Sequence, residues 1–187
     1  MNKLIQFLDA IRPLSDPLKD HLSVIVETKA LSRKEYLLKK GRISSEVCFI
    51  EKGLLRCFYL KEDKEVCSWF MMEGDVIVSV ESFFKQQVSH ETIQALEDCI
   101  LHSFNYDDLQ KTYDTYPELN YHARLLTEKY YTLSEQRLYS LRMQRAHGRY
   151  EYLINNFPEI IQRVPSKYIA SYLSITEETL SRIRSRH

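Results

Sequence analysis

Residues 164–187 read Val164-Pro-Ser-Lys-Tyr-Ile-Ala-Ser-Tyr-Leu-Ser-Ile-Thr-Glu-Glu-Thr-Leu-Ser-Arg-Ile-Arg-Ser-Arg-His187, the pattern of two short helices joined by a tight break. Ser166 is placed to cap the first helix, whose inward positions are Ile169, Ala170 and Leu173. The break falls at Ser174-Ile175, and Thr176 caps a second helix with Leu180 and Ile183 on its buried side. Ala170 is small where the two helices cross, and Ile175 closes the turn from inside. This is the spacing of a helix-turn-helix. The second helix keeps Glu177, Glu178, Ser181, Arg182 and Ser185 for its outer face. An Arg fork matches the guanine edge, Glu accepts from the cytosine amino group and Ser can do either, so the face suits base reading. Ser166, Lys167 and Thr176 stand at helix starts, where phosphates dock, and Arg184 and Arg186 add positive charge.

The charge distribution agrees. Residues 160–187 hold Arg163, Lys167, Arg182, Arg184 and Arg186 against two acids, a balance of +3, whereas the whole chain has 26 basic and 26 acidic residues. The first 159 residues are therefore at −3, and a neutral total hides a basic tail. With 187 residues, 44% of them hydrophobic and 12% aromatic, the chain can bury a substantial core. No apolar run is long enough to span a bilayer, and an amphipathic segment follows Met1 where a signal peptide would carry its apolar core, so a cytoplasmic location is expected. Cys48, Cys57, Cys67 and Cys99 are separated by 9, 10 and 32 residues, a spacing that fits neither zinc nor iron–sulfur ligation and suggests reduced core thiols.

Upstream of the tail the hydrophobic period changes twice. Residues 2–30 have helical spacing broken by Pro13 and Pro17, which predicts two short helices. From Tyr36 to Phe104, short runs rich in β-branched and aromatic residues alternate with turn signals, three of which contain Gly41, Gly53 and Gly74. That is the rhythm of a small barrel or jelly roll. After Pro117, Leu119, Ala123, Leu126, Tyr130, Leu133 and Arg137 recur at a 4-3-4-3-4 spacing, and a second stripe of Leu125, Leu138 and Leu141 lies beside it. A parallel dimer through the first stripe would explain two apolar faces on one helix, and the alternative is a single long helix that packs on both the barrel and the tail. A further helix is expected over 146–155.

Taken together, these elements resemble the Crp/Fnr family of bacterial transcription regulators over nearly the full chain. The local matches are Gly53-Leu-Leu-Arg56, Glu73-Gly74-Asp75, Gln94-Ala95-Leu96-Glu97, Tyr116-Pro117-Glu118 and the run from Ile169 to Ile183. The resemblance implies an α+β chain with an antiparallel double-stranded β-barrel (jelly roll) flanked by helices at 1–115. A long dimerisation helix at 116–145 and a winged-helix-like helix-turn-helix at 146–187 would follow. It also implies a homodimer on a palindromic operator in double-stranded DNA, RNA polymerase as partner, a possible small-molecule effector of unknown identity, and no catalysis, cofactor, metal or membrane contact. Among the family's base-reading positions, Glu177 stands where a basic residue is common, and Ser174 replaces the glycine frequent in the turn.

The sequence departs from the cyclic-nucleotide branch. Where that branch has Gly-Glu-Leu and Arg-Ser, this chain has Val78, Ser79 and Val80, then Ser89 and His90; Ser134 of the long helix is expected to complete the pocket. Without a guanidinium for the phosphate or a carboxylate for the ribose at those positions, cyclic AMP is not expected to bind. Residues 1–47 contain no cysteine for an N-terminal iron–sulfur cluster, and Cys67, His90 and His122 are the conceivable haem ligands. Two other functions compete with the regulator. A cupin-like metal enzyme would need a His-x-His pair, absent here, and a ligand-binding module could use its tail to bind protein in place of DNA.

Overall fold

A computed structural model describes residues 2–185, so the contact expected of Arg186 lies outside the described residues. The two predicted N-terminal helices are α1 (Lys3–Ile11) and α2 (Asp16–Ile25), capped by the side chains of Asn2 and Ser15. Pro17 sits in the first turn of α2, where a missing N–H breaks no bond. Their buried faces, Leu4, Ile5, Leu8, Leu18 and Leu22, pack with Phe49, Phe83, Phe104 and Leu109.

The strands are β1 (Glu27–Leu31), β2 (Tyr36–Leu38), β3 (Glu46–Lys52), β4 (Leu55–Lys61), β5 (Lys64–Met71), β6 (Val76–Ile77), β7 (Glu91–Ala95) and β8 (Cys99–Asn105). They form two antiparallel four-stranded sheets, ordered β1-β8-β3-β6 and β2-β7-β4-β5. Leu38, Ile50, Leu55, Ile77, Ile93 and Leu101, drawn from both sheets, make one buried cluster. The expected barrel is thus a double-sheet jelly roll. Strand β1 replaces the end of the expected helical region. Its residues are exposed or half-buried, so no inward alternation marked it, and pairing with β8 decides its conformation. Within the region expected to be strand from Tyr36 to Phe104, β6 is short and the chain turns into a helix, α3 (Val80–Lys85), soon after it.

At the β3–β4 turn, Gly53 has φ +100°, and a Cβ there would meet the Cys99 sulfur at 2.5 Å and the Asp98 carbonyl oxygen at 2.7 Å. Only glycine fits. Between β4 and β5 the register slips: Cys57 pairs with Trp69 and Phe58 with Cys67, leaving Ser68 as the extra residue of a bulge.

After α4 (Tyr106–Thr115), the long helix α5 covers Leu119–Met143. Part of the expected seam has contacts within its own protomer. Leu119 is 4% exposed within the core of α1 and α2, and Leu126 packs against the same cluster. The Tyr130 hydroxyl accepts from the Val76 N–H at 2.7 Å, and the Arg137 guanidinium donates to the Tyr172 carbonyl at 2.8 Å. Ala123 and Leu133 are half-buried. Leu119, Tyr130 and Arg137 thus tie α5 to its own protomer, while the half-buried Ala123, Leu126 and Leu133 face the cavities beside it. The side of α5 left open carries Tyr121, Tyr131, Leu138, Tyr139 and Met143.

The tail consists of α6 (Ala146–Asn156), α7 (Pro158–Arg163), α8 (Ser166–Tyr172) and α9 (Glu177–Arg184). The described residues beyond 145 include no strand, so the expected wing is not present among them. Leu153, Ile160, Ile169, Ala170, Leu173, Leu180 and Ile183 share one buried cluster with Leu54, Phe58, Cys67 and Phe70 of the jelly roll.

Candidate nucleic-acid interface and ligand pocket

The helix-turn-helix forms largely as its sequence dictates. Thr176 caps α9, its hydroxyl accepting from the Thr179 N–H at 3.2 Å, while Ser174 takes φ +54° to turn the chain. Leu180 and Ile183 are buried, and Glu177, Glu178, Ser181, Arg182 and Ser185 are exposed on the opposite face. The Thr176 hydroxyl, together with backbone donors of the first turn, holds the Glu178 carboxyl below the usual carboxylate range, so it stays ionised as an acceptor. Arg182 reaches Thr179 Oγ1 at 3.1 Å and is otherwise open to solvent. One expectation is corrected: Pro165 stands at the N-cap of α8, and Ser166, its first residue, makes no cap bond. The Ser166 hydroxyl instead accepts from the Arg184 guanidinium at 2.7 Å, which ties α8 to α9. Lys167 is exposed, with its ammonium 4.7 Å from the Tyr168 ring centre.

The tail's basic excess is smaller than its composition suggests, since Arg163 is engaged by the jelly roll. Its guanidinium donates to both oxygens of Glu73 (2.8 and 3.0 Å) and both of Glu97 (3.0 and 2.6 Å). This pairing pulls the Glu73 carboxyl down to about 2. Close by, Arg56 is 1% exposed, donates to Gln94 and Glu65, and stacks between Phe58 at 4.1 Å and Tyr168 of α8 at 3.8 Å. The Cys67 N–H donates to the Ser171 hydroxyl of α8 at 2.9 Å. The matched segments around Arg56, Glu73 and Gln94–Glu97 therefore converge on one contact between sheet and tail, which linear spacing could not show.

A cavity of about 870 Å³ opens between the jelly roll and α5. Val78, Ser79, Val80, Ser89, His90 and Ser134, assigned to a pocket from the sequence, all line it. The Ser79 and Ser89 hydroxyls are 2.9 Å apart and hydrogen-bonded to each other, at the positions where the cyclic-nucleotide branch carries its carboxylate and guanidinium. Sequence reasoning missed the remaining walls, which include Phe49, Trp69, Met71, Phe83 and Glu91. Lys85 is the one Lys or Arg in the lining among the described residues, and it pairs with Glu81 at 2.9 Å. Glu91 directly follows His90 and was the legible signal: an acid beside a predicted pocket position.

All four cysteines are buried and unpaired with one another, and burial raises each thiol pKa, that of Cys99 to about 11. His102 bonds Glu51, Asn2 and Thr28, whereas His90 stands at the pocket. His122 is buried with its ring nitrogens on the carbonyls of Glu118 and Arg12. No group of three His, Cys, Asp or Glu among the described residues is arranged to hold a metal ion, and no helix among them is long and apolar enough to cross a membrane.

With this geometry established, comparison with known proteins is direct. Residues 28–116 match the cyclic nucleotide-binding domain family. No curated protein sequence matches the chain. Solved structures with the same fold include FixK2 from Bradyrhizobium japonicum, at 17% identity and TM-score 0.72 over 87% of this chain and 84% of that one. The c-di-GMP responsive global regulator CLP of Xanthomonas campestris superposes at TM-score 0.73 with 13% identity, covering 92% of this chain and 91% of its own. A putative Crp/Fnr-family regulator from Eubacterium rectale gives TM-score 0.73 with 13% identity over 95% and 85%. The chain combines a cyclic nucleotide-binding-type domain with the fold of the Crp/Fnr transcription regulators.

Proposed function

We propose that this chain is a sequence-specific DNA-binding transcription regulator that acts as a homodimer in the cytoplasm. Its jelly roll would respond to a small molecule other than cyclic AMP, and RNA polymerase would be its partner at the promoter. One observation carries the proposal: α9 buries Leu180 and Ile183 while presenting Glu177, Glu178, Ser181 and Arg182 to solvent, on a fold shared with regulators. A carboxylate and a guanidinium fork one turn apart match adjacent base pairs in a major groove.

The homodimer is assigned to the outer face of α5, where Tyr139 is 62% and Met143 69% exposed. Two such protomers would present two recognition helices to a palindromic site. Selection of bound sequences from random DNA by the purified protein tests the proposal and is expected to return an inverted repeat. Recovery of no preferred sequence at moderate salt would overturn it in favour of a tail that binds protein.

A further inference from the structure

The cavity holds an acid without a basic partner. Glu91 opens β7 and lines the pocket, and its carboxylate accepts from the Ser68 hydroxyl at 3.0 Å, with the hydroxyls of Ser79 and Tyr59 near enough to favour its charge. Ser68 is aimed there by the β5 bulge, a device that turns a side chain toward a site. Lys85, the pocket's Lys or Arg among the described residues, is paired with Glu81 at the exposed rim. Burial pushes the Glu91 carboxyl up, as it does for an anion short of compensating positive charge. The Ser68 hydroxyl leaves acceptor capacity on a carboxylate, which has about four lone-pair sites. Trp69, Met71, Val78 and Phe49 supply apolar walls, and the rings of Trp69 and Tyr59 favour a cation. A phosphate entering this space would meet the acid with no free guanidinium to receive it.

We infer that the pocket takes an apolar body, aromatic or alkyl, bearing a protonated amine whose ammonium docks on Glu91. Its biological use rests on the jelly roll being the sensing unit of a regulator, but its test does not. Calorimetry and melting-temperature measurements on the full chain would use tryptamine, phenethylamine and octylamine, each beside its matched alcohol and carboxylic acid. At least one amine should bind saturably, about tenfold tighter than its alcohol, and raise the melting temperature, while the acids leave it unchanged. Glu91→Gln should bring that amine to within about threefold of the alcohol, since it keeps the shape and removes the charge. Should that variant fail to fold, the contrast between amine, alcohol and acid on the natural chain decides alone. The inference is overturned if no amine binds, if an alcohol or acid binds as tightly, or if folded Glu91→Gln retains the amine preference. Operator binding of the ligand-free protein, measured on the same preparation, reports separately on the regulator assignment.

Discussion

Arg182 lies one turn after Glu178 on the exposed side of α9, whereas Lys167 lies near the start of α8, so the two cations have different work to do. Arg182→Ala should cost about 1–3 kcal/mol of operator binding and relax preference at one position per half-site. Lys167→Ala should weaken all sequences alike and lower the salt slope by about one unit. Titrations of selected and scrambled sites at several salt concentrations distinguish them. An unchanged base preference in the Arg182 variant would mean α9 is oriented differently on DNA. At Gly53 the chemistry is steric. Gly53→Ala combines a left-handed backbone with a contact inside 3.0 Å, and should destabilise the fold by roughly 1–3 kcal/mol in denaturant unfolding.

At the scale of elements, α5 separates two roles that its repeat merges. Leu119 is buried among α1 and α2, so Leu119→Ala should lower unfolding stability by about 2–4 kcal/mol without altering the sedimentation coefficient. Tyr139→Glu with Met143→Glu changes exposed positions; it should yield monomers with native circular dichroism and lost operator binding. Dimers persisting in that double variant would place the interface elsewhere. The heptad spacing was legible in the sequence, but both faces of the helix are apolar, and spacing does not say which one the protomer itself covers.

For the whole molecule, the contact between tail and jelly roll has a pH signature. Glu73 is depressed in the folded state, from an ordinary 4.5 to about 2, because Arg163 pairs with it. A depressed carboxylate contributes stability above its ordinary pKa and loses it as pH falls, so the contact should weaken between about pH 4.5 and 2. The Glu73 side chain is 39% exposed, and salt should reduce the effect. Arg163→Ala should flatten that acid transition and make the tail more open to limited proteolysis near neutral pH. An acid transition identical to that of the natural chain would show that the pair does not hold the tail. The β4–β5 ribbon also links the two sites: Ser68 donates to Glu91 in the pocket while the adjacent Cys67 N–H donates to Ser171 of α8.

What the sequence determined by itself is whatever depends on local chemistry. The Thr176 cap, the Ser174 turn, the buried Leu180 and Ile183 and the outward Glu178 and Arg182 follow from helical period and capping over about twenty residues, and they stand where that period put them. The short strands and their glycine turns were legible for the same reason. Tertiary structure alone decided the rest: β1 as an edge strand, Leu119 of α5 buried among α1 and α2, Arg163 held by Glu73 and Glu97, and Glu91 brought to Ser68 across 23 residues. Those outcomes depend on which surfaces meet, and a buried face or a paired charge is set by a neighbour distant in the chain, whose position local spacing does not encode.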